Sequence, residues 1–293
     1  MKLKKIIRYG AYLVFGIFIF TFFTYLNFPY NKLKDMIFGQ IQTQSGIILD
    51  ASNLKPTLTF GMTMEDLNIA HQTSQLAPLR IPEISVSPSL LSLAILKPKI
   101  SFQAQLLSGD ISGALRYGGQ GQQSIHLNLN DVNLQRNFKE QLPINLMGTA
   151  TGKIDFSGDF RQSNTLQGET QLKIEKFALG QMTVLNMTIP DIQMSNAVLQ
   201  GKLKSGRFEI SKCELGSPKD DIHMNVSGNI LLNIRAMDQS RLSLDVKLKL
   251  SEKIKEEFKA FLPFIASALG KDGYYNLRVS GRLSAPVALP KQG

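Results

Sequence analysis

The 293-residue chain has one cysteine and three histidines, and it lacks both the G-x-S-x-G pattern of acyl transfer and the G-x-x-x-x-G-K-[ST] loop that cradles phosphates. A single cysteine, Cys213, excludes an internal disulfide. Its setting, FEISKCEL at 208–215, reads as a strand position where a small side chain packs, in preference to a reactive thiol. Cysteine scarcity fits either side of a membrane and assigns no compartment. His71, His126 and His223 are far apart, and none has a histidine, cysteine or carboxylate at zinc-ligand spacing. Asp220, Asp221 and His223 have the chemistry for a cation site or an acid–base pair, but a proline-containing turn at 216–221 favours solvated turn carboxylates. The chain reads as a non-enzyme with no cofactor and no small-molecule substrate.

Absent too is any basic run interleaved with aromatics, so nucleic acid is not an expected partner. The formal charge of +10 is uneven: Lys2, Lys4, Lys5 and Arg8 leave 33 − 4 = 29 basic against 23 acidic side chains, or +6, for the remainder. That balance is mild. Lysines elsewhere alternate with apolar residues, as in VKLKL at 246–250, and form a solvated strand face.

What the chain does have is one uncharged apolar stretch, YGAYLVFGIFIFTFFTYLNF at 9–28, about 30 Å long as a helix and matched to a bilayer core. Tyr9, Phe15, Phe18, Phe20, Phe22 and Phe28 supply its aromatic content. Four cations precede it, while only Lys32 and Lys34, offset by Asp35, follow closely. The positive-inside bias puts the N-terminus in the cytoplasm and the bulk across the membrane, in a bacterium the periplasm. A cleaved signal peptide is the rival reading. It is disfavoured by length and by the lack of alanine, serine or glycine between Gly16 and Asn31. Phe28, Pro29 and Tyr30 suit the water boundary. From Asn31 to Gln42, Leu33, Met36, Ile37 and Ile41 share one face of a short amphipathic helix, with Lys32 and Lys34 near anionic lipid. The expected division is a basic tail at 1–8, a span at 9–28, a juxtamembrane helix at 29–45 and a β domain at 46–293.

Strict alternation dominates that last region. Ile125, Leu127 and Leu129 fall on one face with His126, Asn128 and Asn130 on the other, and Leu242, Leu244, Val246 and Leu248 repeat the pattern. Period two requires one buried and one wetted face, which predicts a mainly β fold with an antiparallel sheet and disfavours parallel doubly wound folds. A phrase, apolar-x-Gly-x-apolar, recurs around Gly113, Gly201, Gly228 and Gly281. Glycines inside strands predict bends that would curl a long sheet, ordinary turn glycines being the alternative. One helix is expected from Ser251, its cap, to Gly270, kinked at Pro263, with Ile254, Phe258, Phe261, Leu262, Ile265 and Leu269 as its stripe.

Six segments in order carry a resemblance: the anchor into FPY at 28–30, PTLTFGMTM at 56–64, VSPSLLSL at 86–93, LSGDISG at 107–113, LMGTATGKI at 146–154 and VSGRLSAP at 279–286. With them the chain resembles the type II secretion system protein N family, in its delta-proteobacterial style, over nearly its whole length. The resemblance implies an accessory inner-membrane component of a machine that exports folded proteins, with other secretion components as partners. It also implies kinship with AsmA-type proteins, whose long curved sheets form apolar grooves associated with lipid transport. That family has no established active site, so no functional residue carries over. From the residues themselves, Ile125, Leu127, Leu129, Leu242, Leu244, Val246 and Leu248 line either an apolar trough for membrane lipids or a packed core.

Overall fold

Alternating residues need a neighbour on each side to bond their backbone, and here they find it in chain order. The computed structural model describes residues 12–291 apart from 14, 18, 26, 46, 58–60, 72–77, 90–91, 93–97, 140–144, 185–186, 190, 235 and 260–261. Its strands are β1 (Ile47–Asp50), β2 (Asn53–Pro56), β3 (Met62–His71), β4 (Leu79–Pro88), β5 (Lys99–Gln105) and β6 (Asp110–Tyr117). Next come β7 (Gln123–Asn133), β8 (Leu146–Gly158), β9 (Gln167–Leu179), the small hairpin β10 (Met182–Val184) and β11 (Met187–Ile189), and β12 (Ile192–Gln193). The last six are β13 (Asn196–Lys204), β14 (Arg207–Leu215), β15 (Ile222–Leu231), β16 (Arg241–Leu250), β17 (Tyr275–Arg282) and β18 (Ala285–Pro290).

Apart from β10 and β11, all strands join one 16-stranded antiparallel sheet in the order β1-β3-β4-β5-β6-β7-β8-β9-β13-β14-β15-β16-β17-β18. β2 also pairs with β3, and β12 with β9. Since β1 and β2 dock on successive parts of β3, the first edge is one interrupted strand. Among the described residues no ladder joins β1 to β18, so the sheet is open.

The helices are short. α1 (Tyr30–Ser45) lies against β1 and β2; α2 (Leu134–Phe138) follows β7; α3 (Glu252–Glu257) and α4 (Leu262–Ile265) follow β16. The single kinked helix expected from Ser251 to Gly270 is two helices and a 3₁₀ turn at Ala266–Ala268. Ser251 does cap the first, its hydroxyl accepting from the Ile254 amide at 3.3 Å. Pro263 falls in the first turn of α4, where its missing N–H costs nothing, so it starts a helix where a kink was expected. On α1, Phe38 packs on the sheet while Met36, from the expected stripe, is exposed; the side chains of Leu33, Ile37 and Ile41 lie outside the described set. Lys34 is turned inward: its ammonium donates to the Ala51 carbonyl at 2.7 Å, which withdraws it from the surface.

Most fully buried apolar residues gather in three clusters at the end of the ladder where β5, β7, β9, β14 and β16 finish, while Leu166 and Leu203 are buried at the opposite end. Leu67, Ile81 and Ala104 pack with Phe38 of α1; Phe177, Ile192, Met194 and Ile254 pack beneath α3; Tyr275 and Leu277 pack with Leu262 and Ile265 of α4. Two bulges shape this end. Asp131 (φ +48°) and Lys176 (φ +52°) are left-handed residues inside β7 and β9, and each is the extra residue of a register shift. The extra residue restores parity, so that Val132 (1% exposed) and Phe177 return to the buried face. The glycine phrase, expected to bend the sheet throughout, has mixed use. Gly201 sits at a register shift and Gly228 has φ +123°, but Gly113 has ordinary strand geometry.

Candidate functional site

Register converts the alternation into rows that cross the whole sheet. Val86, Phe102, Gly113, Leu127, Ile154 and Thr170 are successive cross-strand partners from β4 to β9. The same row continues through Gly201, Ile210, Gly228, Leu244 and Val279 to Ala288 of β18. Leu127 and Leu244, 117 residues apart, are thus members of one line. The adjoining row runs from Ile100 through Leu115, Ile125, Phe156, Gly168, Leu203, Phe208 and Ile230 to Leu242. Ile125 therefore shares a row with Leu242, as Leu127 does with Leu244.

Exposure separates these residues into two groups. Val246 and Leu248 pack against the cluster under α4 and belong to a closed core. Ile125, Leu127, Leu129, Leu242 and Leu244 are half-buried, and none of them joins a buried cluster. Among the described residues, the helices make their main contacts with the ends of strands and the β1/β2 edge, and the middle rows are half-buried, closing to full burial at Thr170, Gly201 and Leu203 of β9 and β13. Of the glycines in the Leu127–Leu244 row, Gly113 and Gly201 lie under the rings of Phe102 and Phe208. Cys213 stands on the same face, opposite Leu199; half-burial pushes its thiol pKa up, which favours the unreactive neutral form.

The other face is polar. His126 pairs with Asp155, and Asn128 is 3.0 Å from the second His126 nitrogen. His223 is buried on this face beside Tyr274, its Nδ1 3.0 Å from the phenol oxygen, with Asn225 and Glu214 near Nε2. His71 lies in β3, and its side chain is outside the described set. Among the described residues no three His, Cys, Asp or Glu side chains gather as a metal site.

Asp220 and Asp221 depart from the solvated role expected for them, because the turn folds back on the β12–β13 segment. Asp220 accepts from the Ser217 and Ser195 amides at 2.6 and 3.0 Å and from the Ser195 hydroxyl at 2.7 Å. Burial works against its charge, but these hydrogen bonds outweigh it and hold the carboxyl below its ordinary pKa. Asp221 accepts from the Gln193 amide at 3.1 Å and the Ser251 hydroxyl at 3.2 Å. Both carboxylates are latches.

At the N-terminus, residues 12–13, 15–17 and 19–25 are helical. Tyr12, Leu13, Phe15, Ile17, Phe20 and Phe23 are all more than half exposed, and Phe28 beyond the helix is exposed as well. Phe22 is half-buried, and Tyr9 and Phe18 lie outside the described residues. Among the described residues no helix is long and apolar enough to cross a membrane. The segment is tied to the sheet by the Tyr25 hydroxyl, which donates to the carbonyls of Gly61 (2.6 Å) and Thr57 (3.1 Å). That tie lies at the β2–β3 end of the apolar rows.

Sequence reasoning missed the two residues that shape the closed end, Asp131 and Lys176. Polar residues next to apolar ones in a strand carry no special signal unless the parity break, from Leu129 to Val132 and from Ile174 to Phe177, is read as an inserted position. Compared with known proteins, the chain matches no family model, no curated protein and no solved structure.

Proposed function

We propose that the chain is an inner-membrane-anchored component of the bacterial cell envelope whose working surface is the half-buried apolar face, and that this face holds lipid acyl chains. The residues at 9–28 are the anchor, the N-terminus is cytoplasmic and the β domain periplasmic. The observation that carries the reading is the unbroken row joining Leu127 to Leu244, apolar or small but for Thr170, whose members are half-buried on either side of a buried centre at Thr170 and Gly201. Burying apolar area is worth roughly 25 cal/mol per Å², or about 0.8 kcal/mol per methylene, so even partial contact along an acyl chain supplies useful affinity. The tie at Tyr25 supports the same reading, since it sets one end of the strip beside an apolar helix. An accessory, structural role beside the type II secretion machine is the context that the resemblance supplies.

Gentle detergent extraction of the full chain, followed by mass spectrometry of extracted lipids, tests the acyl-chain reading. About one or a few phospholipids per chain are expected. Protein free of lipid, with its sheet intact by circular dichroism, would overturn it. The secretion context is tested separately by affinity capture from cells, where the absence of every secretion component counts against it.

A further inference from the structure

We infer a second binding site, on the polar face, for a phosphate-type anion held between Lys99 and Arg116. Register makes Lys99 of β5 the direct partner of Arg116 of β6, Arg116 the partner of Ser124 of β7, and Ser124 the partner of Ser157 of β8. Four hydrogen-bond donors thus line up across four strands, near the end of the sheet opposite the buried clusters. Like charges opposite one another on neighbouring strands destabilise a sheet. Among the described residues neither cation has a carboxylate within 4 Å to relieve this, although the polar face has ion pairs elsewhere, as at Lys173–Glu175 and Arg278–Asp245. An anion between them would.

The surface there has room for one. A groove of about 410 Å³ is lined by these four residues, by Ala114, His126 and Asp155, and by Ile125, Phe156 and Gly168, and it adjoins a second of about 380 Å³ lined in part by Ser85, Ser87 and Ser101. Ala114 makes the depression, a methyl group on the row beside long side chains. The one carboxylate in the groove, Asp155, is already paired with His126. Lys99 and Arg116 against Asp155 leave two minus one, a net formal charge of +1 with His126 neutral. Lysine as a point charge, the planar arginine fork and serine hydroxyls are the donors that tetrahedral oxyanions take up. The donors of the site stand on the face opposite the apolar rows, with Ile125, Phe156 and Gly168 of one row also bordering the groove, so the site goes beyond the acyl-chain reading and stands without it.

Isothermal titration of the full chain in detergent, with inorganic phosphate and with glycerol 3-phosphate at constant ionic strength, tests the site. Saturable binding is expected, weakened at least tenfold in Lys99→Gln and in Arg116→Gln and unchanged in Lys202→Gln, a lysine of the same face on β13. Tighter binding of the ester identifies a phosphorylated headgroup as the ligand, and equal binding a free anion; either supports the site. No saturable binding of either compound, or unchanged affinity in Arg116→Gln, overturns it. Thermal melting gives a second readout. Without phosphate, Arg116→Gln is expected to melt about 1–3 °C above wild type because the opposed charges are gone. Phosphate should raise the wild-type midpoint and leave the variant's where it was. A variant that melts lower, or one that phosphate still stabilises, overturns the proposal.

Discussion

Phe102 lies directly across the ladder from Gly113 and covers it, so that a methyl group on Gly113 would stand 2.7 Å from the Phe102 ring. An aromatic ring laid over a glycine on the next strand recovers the packing that the missing side chain forgoes. Phe156 covers its cross-strand partner Gly168 in the same way. These rings fill the apolar face where glycine leaves no side chain.

Gly113→Val should therefore clash with Phe102 and with the His126 carbonyl, lowering stability by about 1–3 kcal/mol in a denaturant melt. Adding Phe102→Ala should restore part of that loss, which a double-mutant cycle measures. A single variant as stable as wild type would mean that the ring does not sit where described.

Lys176 is an L-residue held at φ +52° inside a strand, a conformation that costs about 1–2 kcal/mol and that glycine adopts freely. Lys176→Gly is expected to raise the urea midpoint, and Lys176→Val to lower it.

Charge placed on the apolar face should act according to depth. Leu203 is 3% exposed, so Leu203→Asp should prevent folding, seen as loss of the β signal in circular dichroism. Leu127→Asp and Leu244→Asp, at half-buried positions of the open strip, should leave the sheet formed and reduce co-purifying lipid. Asn128→Asp, on the polar face, should be nearly silent in both measurements. Identical behaviour of Leu127→Asp and Asn128→Asp would reverse the assignment of faces.

Acid should loosen the latch at the 216–221 turn. The Asp220 carboxyl has a depressed pKa in the fold, so its contribution is fully present above the unfolded value of about 3.9 and is lost as pH falls through the lower folded value. Asp220→Asn should be less stable than wild type at pH 7, and the two should converge as pH falls through the depressed value of the folded state. A difference independent of pH would show that the carboxylate's charge plays no part.

The free edge of the sheet, β18, is protected. Lys291 donates its amide to Asn276 at 2.9 Å, which fixes the alternation: residues 285, 287 and 289 turn their N–H groups toward β17, and Pro286, Ala288 and Pro290 face outward. Two of the three outward positions thus have no donor, which discourages strand addition. Replacing Pro286 and Pro290 together by threonine should produce self-association in analytical ultracentrifugation, and a monodisperse variant would count against the protection.

Much of the sheet was legible because period two is local. Ile125, Leu127 and Leu129, or Leu242 and Leu244, declare their common face within a few residues. The helix break at Pro263 was legible in position but not in kind, since a proline allows either a kink or a fresh start, and which occurs depends on where Leu262 and Ile265 find apolar partners. The role of Asp220 was illegible for a similar reason: its ligands at Ser195 lie 25 residues away, beyond any local pattern.

The amino-acid order alone determined the strands, their two faces, and the apolar stretch at 9–28, because side-chain parity and hydropathy are properties of near neighbours. Only the tertiary structure decided that Leu127 and Leu244 share one row, that Val246 and Leu248 are closed over by α4, and that Lys99 confronts Arg116. Each of those depends on register between strands. Register is set by turns and bulges such as Asp131 and Lys176, whose left-handed backbones are stabilised by the distant residues they bury.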